Sequence, residues 1–589
     1  MIAAVEKRLS GEASPLPSTM PGQGFQNFLL DPKQETLPAW AIAKGPASLL
    51  LAKYRLVPFD DIHGLRDEFV RWATQAPAHA AGPPVLGRLV YAPAGLGKTR
   101  ALIEIADELT RTHGWLAGFV PRDIRGAGRE LSEGALERLI LGGRDAAGLM
   151  LVVDYAESRQ EDVVWLSDRL VKRAESNAKP ARLVLISRGS GVWWRELLLK
   201  TQSLQFLCGV GTDAYDEIEI PEEIKRSDRR SLFDASVNAF LPYRNAVSST
   251  AVELRPPSDD FVHALETEGD YDRPLAVQIA ALLHVAGVDV AEGRERMAGP
   301  LDRILGLEYQ HWDKVLKIAT KPNWQRAVKN AVGQLTLVGG VQSADAAAAL
   351  IRLDPFYQDA KDIDVPRVRE ALSAIFPSDK GALAALEPDL IGEHHVARVA
   401  TDTLVDSCLD WAGDNREQRQ QILTVLNRAT RAEHGGEAAN AVAQLDRLVK
   451  MRAAMLGGDL IKVALETPGQ LLDICAKLEL YIGGLDDSQL TEIDAALPIQ
   501  SLALMDLSLA VATRRVDVAR LEAATLANVA PALHDAIHNI LAARLSVLGI
   551  RLSNLGRHED ALAATQEAVD IYRRLTQTRT DTLLPDLAT

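Results

Sequence analysis

Arg88-Leu89-Val90-Tyr91-Ala92-Pro93-Ala94-Gly95-Leu96-Gly97-Lys98-Thr99-Arg100 is an apolar run, a glycine-bearing turn and the opening of a helix in direct succession. The helical pattern continues through Ala101–Leu109. Strand, glycine loop, Lys-Thr and helix is the order that a phosphate cradle requires. Gly95 and Gly97 allow backbone angles that aim successive N–H groups at one point, with Ala94, Leu96 and Arg100 lending main-chain groups beside them. Lys98 adds a mobile positive charge, and Thr99 offers a hydroxyl to a magnesium ion. The helix start adds unpaired N–H groups and a positive dipole end facing the same anion. Ala92 stands where the usual pattern, G-x-x-x-x-G-K-[ST], has its first glycine; the departure is one methyl group at the mouth of the loop.

The next informative stretch is Leu149-Met150-Leu151-Val152-Val153-Asp154-Tyr155-Ala156-Glu157. An acid at the C-terminal tip of a buried parallel strand lies beside such a loop, where it can hold the metal's shell; Asp154 is that candidate. Glu157 falls beyond the tip, either as a general base for an attacking water or as a plain surface carboxylate. Arg188 ends a further apolar run, Arg182–Ser187, and can reach a terminal phosphate or simply cap the sheet. Pro274 opens a helix, where it can pack on a nucleotide base or serve only as a helix start. His394-His395 reads mainly as structural, with an imidazole contact to a diphosphate as the other reading, and Trp193-Trp194 as core behind Arg188.

Around these residues the pattern alternates. Helical spacing of Ile62, Leu65, Phe69 and Trp72 precedes the first strand. Apolar runs at Trp115–Val120, Gly148–Asp154, Arg182–Ser187 and Glu217–Ile220 are separated by helices near Leu131–Leu141 and Glu161–Glu175. Uninterrupted apolar strands separated by helices predict a parallel sheet covered on both faces. Beyond about Ser227 helical patterns take over: Arg229–Phe240, Asp259–Leu265 and Pro274–Val285, then Leu301–Ile318, Trp324–Leu337 and Asp345–Leu353. Val365–Phe376 with Leu383–His395 suggests a small winged-helix unit. Before the first strand, residues up to about Lys44 are rich in turn chemistry, and a short helix is expected in Ala47–Lys53.

Size and composition set the limits. At 589 residues the chain exceeds one core, and about 100–200 residues per domain gives roughly three to five. A net charge of −15 argues against a nucleic-acid coat, so nucleic acid is not an expected partner. Cys208, Cys408 and Cys475 are widely spaced and form no metal motif; they read as buried thiols in a reducing compartment. No run approaches the ~20 apolar residues of a spanning helix, and the start lacks the apolar core of a secretion signal, so no membrane association and a cytoplasmic location are expected. No Asn-Lys-x-Asp stretch is present for guanine, which favours ATP over GTP.

Near the end, Leu545, Leu548, Gly549, Leu552, Gly556, Ala561, Thr565 and Ala568 fall at the spacing of a tetratricopeptide helix–turn–helix unit, with an ordinary helical hairpin as the other reading. Arg573 stands where a closing proline is frequent. Thr580–Thr589 resembles the start of another unit.

Taken together, the Ala92–Thr99 loop, the Val-Val-Asp154-Tyr-Ala-Glu157 strand end, Ile-Ser-Arg188 and Arg-Pro274-Leu resemble the signal-transducing NTPases with numerous domains, the STAND class that includes NB-ARC and NACHT proteins. The stretch Leu555–Leu562 through Tyr572–Leu575 is similar to the tetratricopeptide arrays of bacterial members. The family's adenine-contacting Gly-Arg is only approximated by His63-Gly64-Leu65-Arg66. The resemblance implies an α/β P-loop NTPase domain followed by a helical lid, a winged-helix unit and an α-helical repeat region, mostly α overall. The expected bounds are a linker over 1–50, the NTPase domain over 51–226, the lid over 227–300, a helical or winged-helix-like domain over 301–400 and the helical region over 401–589. It implies ATP/ADP and Mg2+ as cofactors, slow hydrolysis, and a switch in bacterial defence or regulation. It also implies an ATP-dependent homo-oligomer and a protein partner on the C-terminal helices; with no effector domain recognised at the N-terminus, either the effector is a separate protein or the chain acts by binding alone. The competing readings are a constitutive ATPase remodeller and a helical scaffold with a vestigial pocket.

Overall fold

The computed structural model describes residues 45–75, 85–121, 130–142, 146–176, 179–209, 216–247, 254–288, 299–317, 322–358, 364–376, 383–498, 503–526 and 534–578. Expectations for residues before Gly45, for the Ala81–Pro84 break and for Thr580–Thr589 lie outside them. The chain divides into two compact units, Met1–His395 and Val396–Thr589.

In the first unit, five strands form one parallel sheet: β1 (Val85–Tyr91), β2 (Leu116–Phe119), β3 (Leu149–Val153), β4 (Ala181–Ser187) and β5 (Glu217–Glu219). Their order is β2-β3-β4-β1-β5. Every residue of β3 and β4 is buried, as strands covered on both faces must be. β5 is a three-residue edge strand with exposed glutamates at both ends, which blunts the sheet margin. The helices between are α1 (Leu65–Thr74), α2 (Lys98–His113), α3 (Glu130–Gly142), α4 (Gln160–Ser176), α5 (Gly191–Lys200) and α6 (Gln202–Cys208). Gly87 of β1 lets α6 approach closely: a Cβ there would lie 2.6 Å from Cys208 Sγ.

Helices α7 (Arg226–Phe240), α8 (Asp259–Thr267) and α9 (Pro274–Ala286) follow. Phe233, Phe261 and Tyr271 pack ring to ring between them, with centroids 5.3 and 6.0 Å apart. Buried Arg229 ties the group by donating to the Leu265 and Glu268 carbonyls and pairing with Asp272. Next come α10 (Pro300–Leu316), α11 (Pro322–Val338), α12 (Ala344–Ile351), α13 (Asp364–Ile375) and α14 (Asp389–Val399). A single antiparallel bridge joins Val341 to Leu383. Over Val365–His395, where the sequence pattern suggests a winged-helix unit, stand α13, the Leu383 end of that bridge and the start of α14.

The segment from Gly45 departs from the expected linker over 1–50. Pro46–Leu50 is a buried 3-10 helix, and Ala52–Tyr54 is a second one where a single short helix is expected. The first docks against α10, where Glu308 accepts the Ala47 N–H at 2.5 Å and the Trp312 indole N–H at 3.1 Å. Arg55 then pairs with Glu104 and Asp107 on α2. The signal missed by composition is Leu49-Leu50-Leu51 with Tyr54, an apolar surface large enough to require a partner.

The second unit is helical throughout its described residues: α15 (Asp402–Ala412), α16 (Arg416–Ala429), α17 (Ala438–Glu466), α18 (Asp487–Ala496), α19 (Met505–Leu526), α20 (His534–Asn554) and α21 (His558–Thr578). Asp402, Asp406 and Asp410, one turn apart on α15, alternate with Arg447 and Arg452 of α17 at 2.8–3.4 Å. At the end of the unit, Gly556 takes a φ of 72° between α20 and α21, the left-handed turn that glycine accepts without strain. Gly549 lies against Ala561 and Thr565, so the two helices cross closely. Among the described residues, no helix is long and apolar enough to cross a membrane.

Two outcomes follow from this packing. A Cβ at Gly549 would sit 2.6 Å from Thr565 Oγ1, so Gly549→Val should lower stability by about 1–3 kcal/mol in urea unfolding. Burial raises the Glu308 carboxyl from 4.5 to about 7, against the opposing pull of the Ala47 and Trp312 donors. A carboxyl raised in the folded state contributes fully below its unfolded value and loses that contribution as pH climbs through the folded one. The melting temperature of Glu308→Gln should therefore gain on that of the native protein as pH rises from about 4.5 to 7.

Candidate functional site at the sheet's C-terminal edge

Three strands end side by side. Tyr91 of β1 registers with Ser187 of β4, and Val153 of β3 registers with Leu185. The residues that follow them, Ala92, Arg188 and Asp154, therefore leave the sheet along one edge. The Ala92 N–H reaches back to the Ser187 carbonyl at 3.4 Å, tying the loop's start to β4.

The loop itself runs from Ala92 to Gly97, with Gly95 and Gly97 at φ of 81° and 86°. These angles explain why glycine occupies both positions. Gly97 caps α2, so Lys98, Thr99 and Arg100 form the helix's first turn. Ala94 and Leu96 are buried; Lys98 folds back so that its ammonium donates to the carbonyls of Ala92 at 2.5 Å and Pro93 at 2.8 Å. His63, half-buried, has Nε2 3.2 Å from the Leu96 carbonyl, and burial lowers its pKa.

Although β4 separates β1 from β3, the Thr99 hydroxyl donates to Asp154 Oδ2 at 3.2 Å. The other oxygen, Oδ1, accepts the Tyr155 N–H at 3.0 Å. Tyr155 is held at a φ of 57°, a left-handed conformation uncommon for an aromatic residue. The strain turns the chain sharply into the Ala156–Ser158 turn and leaves Glu157 completely buried. The surface reading of Glu157 is thereby excluded.

Helix α9 meets the loop end-on. The Leu275 N–H donates to the Gly95 carbonyl at 3.1 Å, and Arg273 donates to the Ala94 carbonyl at 3.3 Å. Pro274 is the first residue of α9, between these two contacts. Arg100 turns away: it pairs with Glu104 at 2.8 Å and donates to the Val57 carbonyl at 3.1 Å. Burial first, and then the nearby Arg55 against the attraction of Glu104, lowers its pKa.

Helix α14 covers the same edge. Tyr155 donates its hydroxyl to Asp389, and Leu390 faces Gly95. Arg188 is buried and forms a two-pronged pair with Glu393, at 2.8 and 2.7 Å, with Asp389 3.6 Å away. Burial alone would depress the guanidinium, but Glu393, Tyr155 and Asp389 hold it well above its ordinary range. His394 and His395, on the same helix, serve packing: His394 bonds Asp302 at 3.0 Å, and His395 bonds the Tyr309 hydroxyl and the Lys329 carbonyl, each at 2.9 Å. Trp194 is core and donates to Glu217 at 2.7 Å.

Ala94 to Thr99, Asp154, Glu157, Arg188 and Pro274 thus gather at one edge, while Arg100 offers it only its main chain. Tyr155, Arg273, Asp389 and Glu393 belong to the same constellation and escaped the sequence reading; Asp389 and Glu393, one turn apart on a helix that also carries Leu390, were its one available signal. Among the described residues, no group of three or more histidine, cysteine or carboxylate side chains is arranged to hold a metal ion. Thr99 and Asp154 would hold a cation together with oxygens from water or a ligand. No protein-family model matches the chain, and no curated protein matches it in sequence.

The two glycines separate experimentally. A Cβ at Gly97 meets nothing within 4 Å, so Gly97→Ala should cost only the left-handed penalty of about 1–2 kcal/mol. At Gly95 the Cβ would also press Leu275 at 3.3 Å, so Gly95→Ala should lower the urea midpoint further than Gly97→Ala does.

Proposed function

We propose that this chain is an ATP- and ADP-binding molecular switch of the STAND type, in which a P-loop NTPase domain couples its nucleotide to the arrangement of the helices around it. The observation that carries the reading is the Thr99–Asp154 contact at 3.2 Å. A loop hydroxyl and a strand-tip carboxylate, 55 residues apart in sequence, share one position where a divalent cation can bridge them.

The residues present fit a magnesium nucleotide. The first turn of α2 presents backbone N–H groups from an open glycine cap, and Lys98 brings a buried positive charge to the same loop. Lys98 would hold a phosphate by charge, with the N–H groups of Gly95 to Thr99 orienting it. Thr99 and Asp154 would hold Mg2+, and Glu157 would accept a proton from water at its buried carboxylate. When bound, the nucleotide supplies a terminal phosphate that can be present or absent, which is the signal being read. Arg188, between the loop and Asp154 on β4, is the reader, and the lid helix α9 touches the loop directly.

A switch needs differential affinity. Flipping a population from 1:99 to 99:1 takes about 5.5 kcal/mol of preference between states, more than one charge-assisted contact supplies. The trigger, the nucleotide and the pairing of Arg188 would share it. The outward-facing Ile540, Val547 and Ile550 of α20, together with Leu562 of α21, support a protein partner on the C-terminal helices. A partner effector and an ATP-dependent homo-oligomer complete the proposal, with a role in bacterial defence or regulation.

Calorimetry with magnesium and ADP or ATP tests it. Lys98→Ala should abolish binding of both nucleotides, and Asp154→Ala should remove the dependence of affinity on magnesium. Unchanged ATP affinity in Lys98→Ala would overturn the assignment of the site.

A further inference from the structure

The cluster joining Arg188, Tyr155, Asp389 and Glu393 does more than close the fold. Arg188 lies one strand from the loop and, through β4, next to the strand that carries Asp154. Arg188 is 6 % exposed and Glu393 2 %, so the pair is almost wholly removed from water. Two buried charges in that geometry are held by each other, and neither tolerates loss of its partner without a replacement of like charge.

We infer that the carboxylates of Glu393 and Asp389 stand in for a terminal phosphate at Arg188, and so make the closed arrangement selective for a nucleoside diphosphate over a triphosphate. The inference rests on the nucleotide reading above and adds to it the residues that set the preference. A carboxylate and a phosphate each offer a guanidinium two oxygens that can accept its paired N–H groups. While Glu393 occupies both prongs of Arg188, a further anion brings repulsion from two carboxylates and finds its cation taken. A diphosphate, one group shorter, makes no such demand.

The other contacts of α14 place this competition where it would be felt. Asp389 is bound by the Tyr155 hydroxyl, one residue after Asp154, and Leu390 lies on Gly95. The same helical turn therefore touches the glycine loop, the residue beside the metal-binding acid and the arginine. An anion that draws Arg188 from Glu393 would loosen all three contacts together. Asp389 and Glu393 act through Arg188 and are specificity-determining residues, not catalytic ones.

The test is calorimetry with Mg-ADP and with a magnesium complex of a non-hydrolysable ATP analogue, on the native chain, Glu393→Gln and Asp389→Asn. Each variant keeps the side chain's shape and removes one negative charge. Asp389 is less buried than Glu393, so Asp389→Asn carries the test if Glu393→Gln fails to fold in a thermal melt. The expected result is ADP affinity unchanged within about twofold and analogue affinity increased about tenfold. If both nucleotides bind and their affinity ratio is the same in all three proteins, or the variants weaken both equally, the carboxylates have only a structural role and the inference falls while the nucleotide site stands. If the native chain binds neither nucleotide, the site assignment itself fails and takes this inference with it.

Discussion

The parallel register that makes three neighbouring strands end along one edge is the constraint from which the site follows. β4 sits between β1 and β3, so a loop leaving β1 and an acid leaving β3 start one strand apart. β3 ends at Leu185 of β4, two residues short of Ser187, where β1 ends, and the first turn of α2 carries Thr99 back across β4 to Asp154. A shift of one residue in either pairing would turn these side chains to the opposite face of the sheet. The completely buried β3 and β4 make that shift costly, since it would exchange core contacts along the whole strand.

Closure of this edge by helices from far along the chain is the second feature. α9 satisfies the Gly95 carbonyl with a backbone N–H, and α14 satisfies a buried arginine with two acids. Both are polar contacts, and polar contacts can be exchanged for a ligand's polar groups at modest net cost, whereas a hydrophobic seal cannot. Such a closure suits a device that must open. The anchoring of Pro46–Leu50 at Glu308 extends the same construction to the start of the described chain.

Much of this was legible in the sequence because the strands are short apolar runs with helices of clear period between them. Gly95 and Gly97 announced their backbone angles, and Asp154 its strand tip. Glu157 was legible as a position but not as a buried group, because its burial follows from the left-handed turn at Tyr155, which no local pattern signals. Arg100 belongs to the loop by its main chain alone, because Glu104, one turn on along the same helix, and the Val57 carbonyl draw its side chain away. Asp389 and Glu393 leave only a faint trace in the sequence, two acids one turn apart beside Leu390: their importance comes from a contact about 200 residues distant in the chain. The short helix expected in Ala47–Lys53 is visible in the apolar run there, but not its burial, because the docking site that covers Pro46–Leu50 lies on α10.

The account's central claim is that a phosphate and its cation share the edge between Gly95 and Asp154. A crystal structure of the chain with manganese and ADP tests it most directly, because the metal's anomalous signal locates it without reference to the protein model. The account predicts a manganese peak coordinated by Thr99 Oγ1 and by Asp154 directly or through water, with the diphosphate on the N–H groups of Gly95 to Thr99. A manganese and nucleotide bound elsewhere, with the Lys98 ammonium still on the Ala92 and Pro93 carbonyls, would contradict it.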